Sequence, residues 1–152
     1  MIFAHITTSF RETFHARASE WALAAVLFNW GLVLSLNMTL FEGASYAELA
    51  ALAPQVAWAW LCLLFGAFRL AVLAINGAWR RSPHIRSACA FVACFVWFQI
   101  SMGLLQSGTW STGLAVYPVL FFLDIFNVIR AIGEAGRSDA QHQRMAGNGS
   151  DS

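Results

Sequence analysis

Four apolar runs constrain this chain more than any other feature of its sequence. They lie near residues 21–41, 55–79, 88–105 and 111–132, and each approaches or exceeds the roughly 20 apolar residues that a helix needs to cross about 30 Å of hydrocarbon. Over the whole chain, 59% of the 152 residues are hydrophobic, 11% are charged and the mean hydropathy is +0.60, which is too apolar for an ordinary soluble domain. We therefore predict an all-α membrane protein in which residues 21–134 form a bundle of four transmembrane helices.

The two ends of the chain differ from this apolar domain. Within residues 1–20, large apolar side chains recur at helical spacing, at Phe3, Ile6, Phe10 and Phe14. This pattern predicts an amphipathic helix that lies in the membrane interface. Such a helix either anchors or packs on the bundle, or it senses or disrupts the membrane surface. No short apolar core leads to a small-residue cleavage site, so we do not expect a cleaved signal peptide. Residues 135–152 lack apolar periodicity, and we expect them to form a disordered cytoplasmic tail.

The arginines predict the orientation of the chain in the membrane. All nine basic residues are arginines; eight of them lie at the two ends of the domain or in the loop that contains Arg80, Arg81 and Arg86. The other two loops contain none. By the positive-inside rule, both termini and the positive loop are cytoplasmic, as in a multi-pass protein of the bacterial inner membrane.

The composition also indicates which partners to expect. A formal net charge of +1 and the absence of a basic patch argue against a nucleic-acid partner. The lipid bilayer is the expected partner. A homo-oligomer or another membrane protein is compatible with the sequence.

Arg69 is the one arginine in the middle of an apolar run. It lies eleven residues before Arg80, so a helical rise of about 1.5 Å per residue places it near the bilayer centre. A charge at that depth costs at least about 2.5 to 3.5 kcal/mol and should find an anion. Asp124 is the only acidic residue at a comparable depth, so we predict an Arg69–Asp124 ion pair. Such a pair either fixes helix packing or forms a gate or substrate site.

Each of the four apolar runs carries a polar stripe. The spacings of three, seven or eight residues place the members of each stripe on roughly one helix face. Because polar groups are costly in lipid, we predict that the stripes meet as a central polar seam. The seam either joins the helices by hydrogen bonds or forms a hydrated path for an ion or proton. Its predicted members are Asn29, Asn37, Arg69, Asn76, Gln99, Gln106, Asp124 and Asn127.

The chain lacks the motifs of common enzyme classes. All four histidines lie outside the apolar runs, so no pair of them is placed to ligate a haem within the membrane. The three cysteines form no Cys-x-x-Cys motif, and no phosphate-binding loop or hydrolase motif is present. We therefore expect a non-enzymatic protein with no cofactor and no catalytic or metal site.

Two segments suggest a family resemblance. The run RLAVLAINGAWRRSPHIR and the later run YPVLFFLDIFNVIRA resemble small four-helix membrane proteins of unknown role from tailed-phage and prophage genomes. The resemblance implies a phage gene product in the inner membrane of the host. It supplies no catalytic residues.

Three classes of function fit these observations. The first is a bundle that organises or contacts another protein in the membrane, which agrees with the lack of a catalytic set. The second is a holin-like pore former in host lysis, with which small size, several spans, an amphipathic N-terminus and a polar cytoplasmic tail agree, although holins more often have fewer spans. The third is a small ion or solute transporter that uses the Arg69–Asp124 pair.

Overall fold

The chain folds into a helical bundle in a computed structural model that describes residues 17–78 and 83–148. These residues contain five α-helices and no strand: α1 (Ala18–Leu36), α2 (Ala47–Leu52), α3 (Gln55–Ala78), α4 (Pro83–Gln106) and α5 (Gly113–Asn148). All of them except the short α2 are long and apolar enough to cross a membrane, which confirms the predicted fold class and the number of spans. The predicted amphipathic helix of residues 1–20 lies outside the described residues, apart from its last four positions.

Two helix boundaries each differ by five residues from those expected from hydropathy. Helix α1 ends at Leu36 instead of near 41, because the backbone of Asn37 is extended and the chain continues into two short 3-10 turns. Helix α4 begins at Pro83, five residues earlier than expected. Proline is favoured in the first turn of a helix, where its missing N–H has no helical partner to lose. The early start places Arg86 within the helix.

The largest departure concerns the C-terminal segment. The predicted disorder from residue 135 is wrong as far as residue 148, because α5 continues without a break to Asn148. Extending an existing helix avoids the unfavourable nucleation step, and the alanine, glutamine, arginine and methionine residues in this segment are good helix formers. Residues 149–152 lie outside the described part.

The four long helices pack as two close pairs. Helix α1 packs along α3, and α4 packs along α5, whereas contacts between the two pairs are much sparser. Gly31 of α1 and Gly66 of α3 allow the first pair to approach closely. A Cβ atom at Gly31 would lie 2.5 Å from the backbone nitrogen of Leu63, and one at Gly66 would lie 2.6 Å from that of Phe28. Each glycine therefore faces the backbone of the partner helix, as small residues do in membrane helix pairs.

Large side chains fill the wider space between the two pairs. Leu27, Trp58, Trp97 and Ile100 belong to one buried apolar cluster, and Trp97 and Ile100 are fully buried. Many other large apolar side chains are exposed on the outside of the long helices. Examples are Leu64, Phe91, Phe95 and Phe122. An apolar exterior of this kind is suited to lipid contact.

Candidate functional site

The structure brings Arg69 and Asp124 together inside the bundle. The Arg69 Nη1 atom of α3 donates a 2.9 Å hydrogen bond to Oδ2 of Asp124 in α5, and Nη2 donates to Oδ1. The indole Nε1 of Trp97 in α4 donates to Oδ2 at 3.1 Å. Only 3% of the Arg69 side chain and none of the Asp124 side chain is exposed. We call Arg69 and Asp124 the central pair.

The central pair is closely surrounded by protein. On the side of Arg69 that faces Arg86, the gap lined also by Glu20, Val72, Leu73 and Cys89 is too small for a water molecule. A bidentate arginine–carboxylate pair is among the stronger polar contacts in proteins, and removal of one partner would leave an uncompensated buried charge. The arrangement is therefore suited to holding α3, α4 and α5 in one relative position.

A second group of charges lies at one end of the bundle. Arg86 of α4 donates to Glu20 of α1 through Nε at 3.0 Å and to Glu134 of α5 through Nη1 at 2.7 Å. Arg130 approaches both carboxylates, with distances of 3.8 Å to Glu20 and 3.4 Å to Glu134. Arg17 lies 3.9 Å from Glu134. We call these five residues the end cluster and the end of the bundle that they occupy the arginine end.

The end cluster is not among the sites predicted from the sequence. Arg86 was expected in a loop, whereas it lies in α4, and Arg86 and Glu20 are each only 4% exposed. The available signal was Pro83, since a helix that begins there carries Arg86 on its first turn. Arg80 and Arg81, the other members of the predicted positive loop, lie outside the described residues.

The predicted polar seam is only partly central. Asn127 is fully buried beside the central pair, and its Oδ1 accepts a 2.8 Å hydrogen bond from the Ser19 hydroxyl, while its Nδ2 has no partner among the described residues. Gln99 is half-buried. The side chain of Asn76 lies outside the described part of the structure.

The seam prediction is wrong for Asn29, Asn37 and Gln106, which are all exposed. Asn29 lies two positions from both Leu27 and Gly31, about 200° around the helix, and so it points away from the face that packs on α3. Asn37 is the C-cap of α1, where its side chain accepts from the Thr39 hydroxyl. Gln106 is the last residue of α4.

Gln55 is a buried polar residue that the predicted seam omitted. Its Nε2 donates to the backbone oxygens of Leu34, at 2.8 Å, and Asn37, at 2.5 Å. Its Oε1 accepts from the backbone N–H of Phe41 at 2.9 Å. One amide therefore satisfies backbone groups that the end of α1 would otherwise leave without partners. These groups lie at the end opposite the arginine end, which we call the loop end; it is formed by residues 37–54 and 107–112.

The described residues provide few ligands for a metal. They contain no group of three or more histidine, cysteine, aspartate and glutamate side chains placed to hold a metal ion. The three free cysteines, Cys62, Cys89 and Cys94, are buried in α3 and α4.

Comparisons of the chain with models of protein families, with curated proteins and with solved structures give no match. The fold and the site therefore define the class by themselves. The chain is a multi-pass helical membrane protein whose bundle contains a buried arginine–aspartate pair.

Proposed function

We propose that this protein is a non-enzymatic component of the bacterial inner membrane, whose bundle organises or contacts a partner protein there. The observation that supports this proposal most directly is the geometry of the central pair. Both carboxylate oxygens of Asp124 are engaged by Arg69, one also by Trp97, and only 3% of the Arg69 side chain and none of the Asp124 side chain is exposed. In this proposal the pair fixes the shape of the bundle, and the partner recognises that shape.

The same geometry disfavours the transporter alternative. A charged group that binds a substrate or relays protons has to exchange partners and contact water or an ion at some stage. Asp124 is fully buried and already accepts three hydrogen bonds. A holin-like pore built around central charges is disfavoured for a related reason, because Arg69 and Asp124 neutralise each other within one chain.

The proposal can be tested by comparing Asp124→Asn, Arg69→Gln and the exchanged pair Arg69→Asp/Asp124→Arg in a bacterial membrane. Each single change leaves a polar or charged group unmatched, at a cost of about 3 to 5 kcal/mol for a broken buried pair, so the protein should accumulate several-fold less. The exchanged pair should recover much of this loss. Glu48→Gln changes an exposed carboxylate and serves as the matched control.

Membrane potential, read with a dye at matched protein levels, separates the classes of function. A structural pair predicts normal growth and potential for the native chain and for every variant that accumulates. The opposite result would be that the native chain depolarises the membrane, while Asp124→Asn accumulates normally and does not. This result would overturn the proposal in favour of a pore or transporter.

The proposal includes an orientation with both termini in the cytoplasm. It is supported by the position of Arg17, Arg86 and Arg130 together at one end of the bundle. The native cysteines are buried, so a membrane-impermeant maleimide reports on a single introduced thiol. From the periplasmic side it should label Thr112→Cys at the loop end and leave Gly136→Cys unlabelled; the reverse pattern would contradict the orientation. A phage or prophage origin, implied by the sequence resemblance, is part of the same hypothesis.

A further inference from the structure

A groove runs between α1 and α5 toward the loop end. At the arginine end the two helices are joined by the contact between Ser19 and Asn127. Further along, Trp30 and Tyr117 bridge the gap with their long side chains, whose Nε1 and hydroxyl oxygen are 2.9 Å apart. Contacts between the α1 and α5 backbones are sparse compared with those inside each helix pair. A groove therefore opens beside the aromatic bridge.

The groove consists of two cavities that share Tyr46, Val116 and Tyr117 in their linings. The deeper cavity has a volume of about 330 Å³, and most of its lining is apolar, with Val26, Val33, Leu34 and Leu120 on its walls. The cavity at the loop end has a volume of about 240 Å³. Its lining adds three hydroxyl side chains, from Ser45, Ser111 and Thr112.

Part of the hydrogen-bonding capacity of the loop-end cavity is unused: Ser45 Oγ accepts from the Thr109 hydroxyl at 2.9 Å, which leaves its own O–H to donate. The Ser111 Oγ atom is buried and has no hydrogen-bond partner among the described residues. Tyr46 shares a side-chain hydrogen bond with Tyr117, and burial together with this neighbour raises the pKa of its phenol. No lysine, arginine or histidine lines either of these two cavities, so the groove offers hydrogen bonds without a positive charge.

The depth of the groove matches one leaflet of a bilayer. Val26 lies ten residues before Leu36, the end of α1, which corresponds to about 15 Å along the helix, or half of the roughly 30 Å hydrocarbon thickness. A volume of 330 Å³ holds on the order of ten methylene-sized groups of about 30 Å³ each. A second helix, about 10 Å wide, is too large for this space.

We infer that the groove between α1 and α5 binds a glycerolipid of the surrounding leaflet, with an acyl chain in the deeper cavity and the glycerol-ester region among the hydroxyl groups of Ser45, Tyr46, Ser111 and Thr112. Ester carbonyls accept hydrogen bonds, and they lie at the membrane interface, where these hydroxyl groups are. Because the described lining carries no basic side chain, the site should not select for the charge of the headgroup. The inference requires only that the bundle spans a membrane, and it is independent of the proposed function.

Native mass spectrometry of the full chain can test this inference. The protein would be released from micelles that contain phosphatidylglycerol, phosphatidylethanolamine and phosphatidylcholine in equal amounts. We expect one retained lipid per chain, with little preference among the three headgroups. Val116→Trp fills the groove and should reduce retention about tenfold, because the indole occupies the space of the acyl chain. Val33→Trp, on the opposite wall, should have the same effect and guards against a folding defect of either variant.

Val119→Trp is the matched control, since Val119 has the same residue type, helix and degree of exposure as Val116 but does not line the groove. It should retain the lipid. Equal retention in all variants, or a strong preference for phosphatidylglycerol, would overturn the inference; the latter would place the lipid at the end cluster.

The same spectra report the oligomeric state. Asn29 adds an exposed amide to the deeper cavity, and such an amide can hydrogen-bond to a neighbouring membrane helix. The spectra could instead show a dimer that carries no lipid and that Val116→Trp or Asn29→Leu disrupts. This result would overturn the lipid assignment and identify this face as an interface between two copies.

Discussion

At the scale of single residues, Gln55 shows how much one side chain can stabilise a membrane bundle. Its side-chain amide forms hydrogen bonds with backbone groups of Leu34, Asn37 and Phe41, which lie at the end of α1 or in the turn that follows. Gln55→Leu would leave the buried Leu34 carbonyl and Phe41 N–H unsatisfied, at about 1 to 3 kcal/mol for each one, whereas the part-buried Asn37 carbonyl can turn to other partners at lower cost. We expect a total loss of about 2 kcal/mol or more, measured as a lower midpoint of thermal unfolding in detergent.

Two further variants make this test specific. Gln106→Leu applies the same change at an exposed position and should alter stability by less than about 0.5 kcal/mol. Gln55→Glu keeps the acceptor for Phe41 but faces two carbonyl oxygens with a carboxylate, so it should destabilise at least as much as Gln55→Leu. Equal midpoints for Gln55→Leu and Gln106→Leu would show that the buried bonds contribute nothing.

Residues differ in how far the sequence can predict their roles. A charge in the middle of an apolar run needs a counter-charge, and only Asp124 lay at a comparable depth to Arg69, so their pairing could be predicted. Gln55 begins an apolar run, where an amide is expected to contact water. Its partners are backbone groups, which every residue has, and therefore no pattern in the sequence marks them.

At the scale of helices, the reciprocal glycines Gly31 and Gly66 set the distance between α1 and α3. Alanine at either position would place a Cβ atom against the backbone of the other helix, which cannot move aside as a flexible side chain could. We expect Gly31→Ala and Gly66→Ala each to destabilise the protein by about 1 to 3 kcal/mol. The loss would be measured as a lower midpoint of thermal unfolding and a smaller yield of monodisperse protein.

Gly133→Ala is the matched control for this interface. Nothing lies within 4 Å of a Cβ atom at Gly133, and alanine has the higher helix propensity, so this variant should be neutral or gain up to about 1 kcal/mol. If all three alanine variants have the same stability, Gly31 and Gly66 are not required for the close approach of α1 and α3.

The same scale explains why the polar seam was only partly predictable. A spacing of seven or eight residues shows that two side chains share a helix face, but it does not show which face packs. Asn29 and Asn37 are eight residues apart and so lie on roughly one face of α1. The face of α1 that packs against α3 is a different one, which contains Leu27, Gly31 and Leu34. Helix number follows from hydropathy alone, whereas rotation about the helix axis depends on close contacts between side chains and backbone.

At the scale of the whole molecule, apolar and polar contacts have different places. Inside the pair α1 and α3, close packing rests on glycines and apolar side chains. Most of the described polar side-chain contacts between long helices join one pair to the other: Arg69 with Asp124, Glu20 with Arg86, Ser19 with Asn127, and Trp30 with Tyr117. In lipid, where burial of apolar surface gives no driving force, such directional contacts can specify how two helix pairs dock.

This division predicts that the protein can be divided between residues 80 and 81 and still assemble. When the fragments 1–80 and 81–152 are co-expressed and only one carries an affinity tag, the other should co-purify. Asp124→Asn breaks the central pair between the fragments and should reduce co-purification at least tenfold, since a broken buried pair costs about 3 to 5 kcal/mol. Gly31→Ala acts inside the first fragment. It should lower the total amount of fragment 1–80, but the share of that fragment that co-purifies with fragment 81–152 should change less. Undiminished co-purification of the Asp124→Asn fragment would show that apolar contacts suffice to dock the pairs, and that the buried charges serve another purpose.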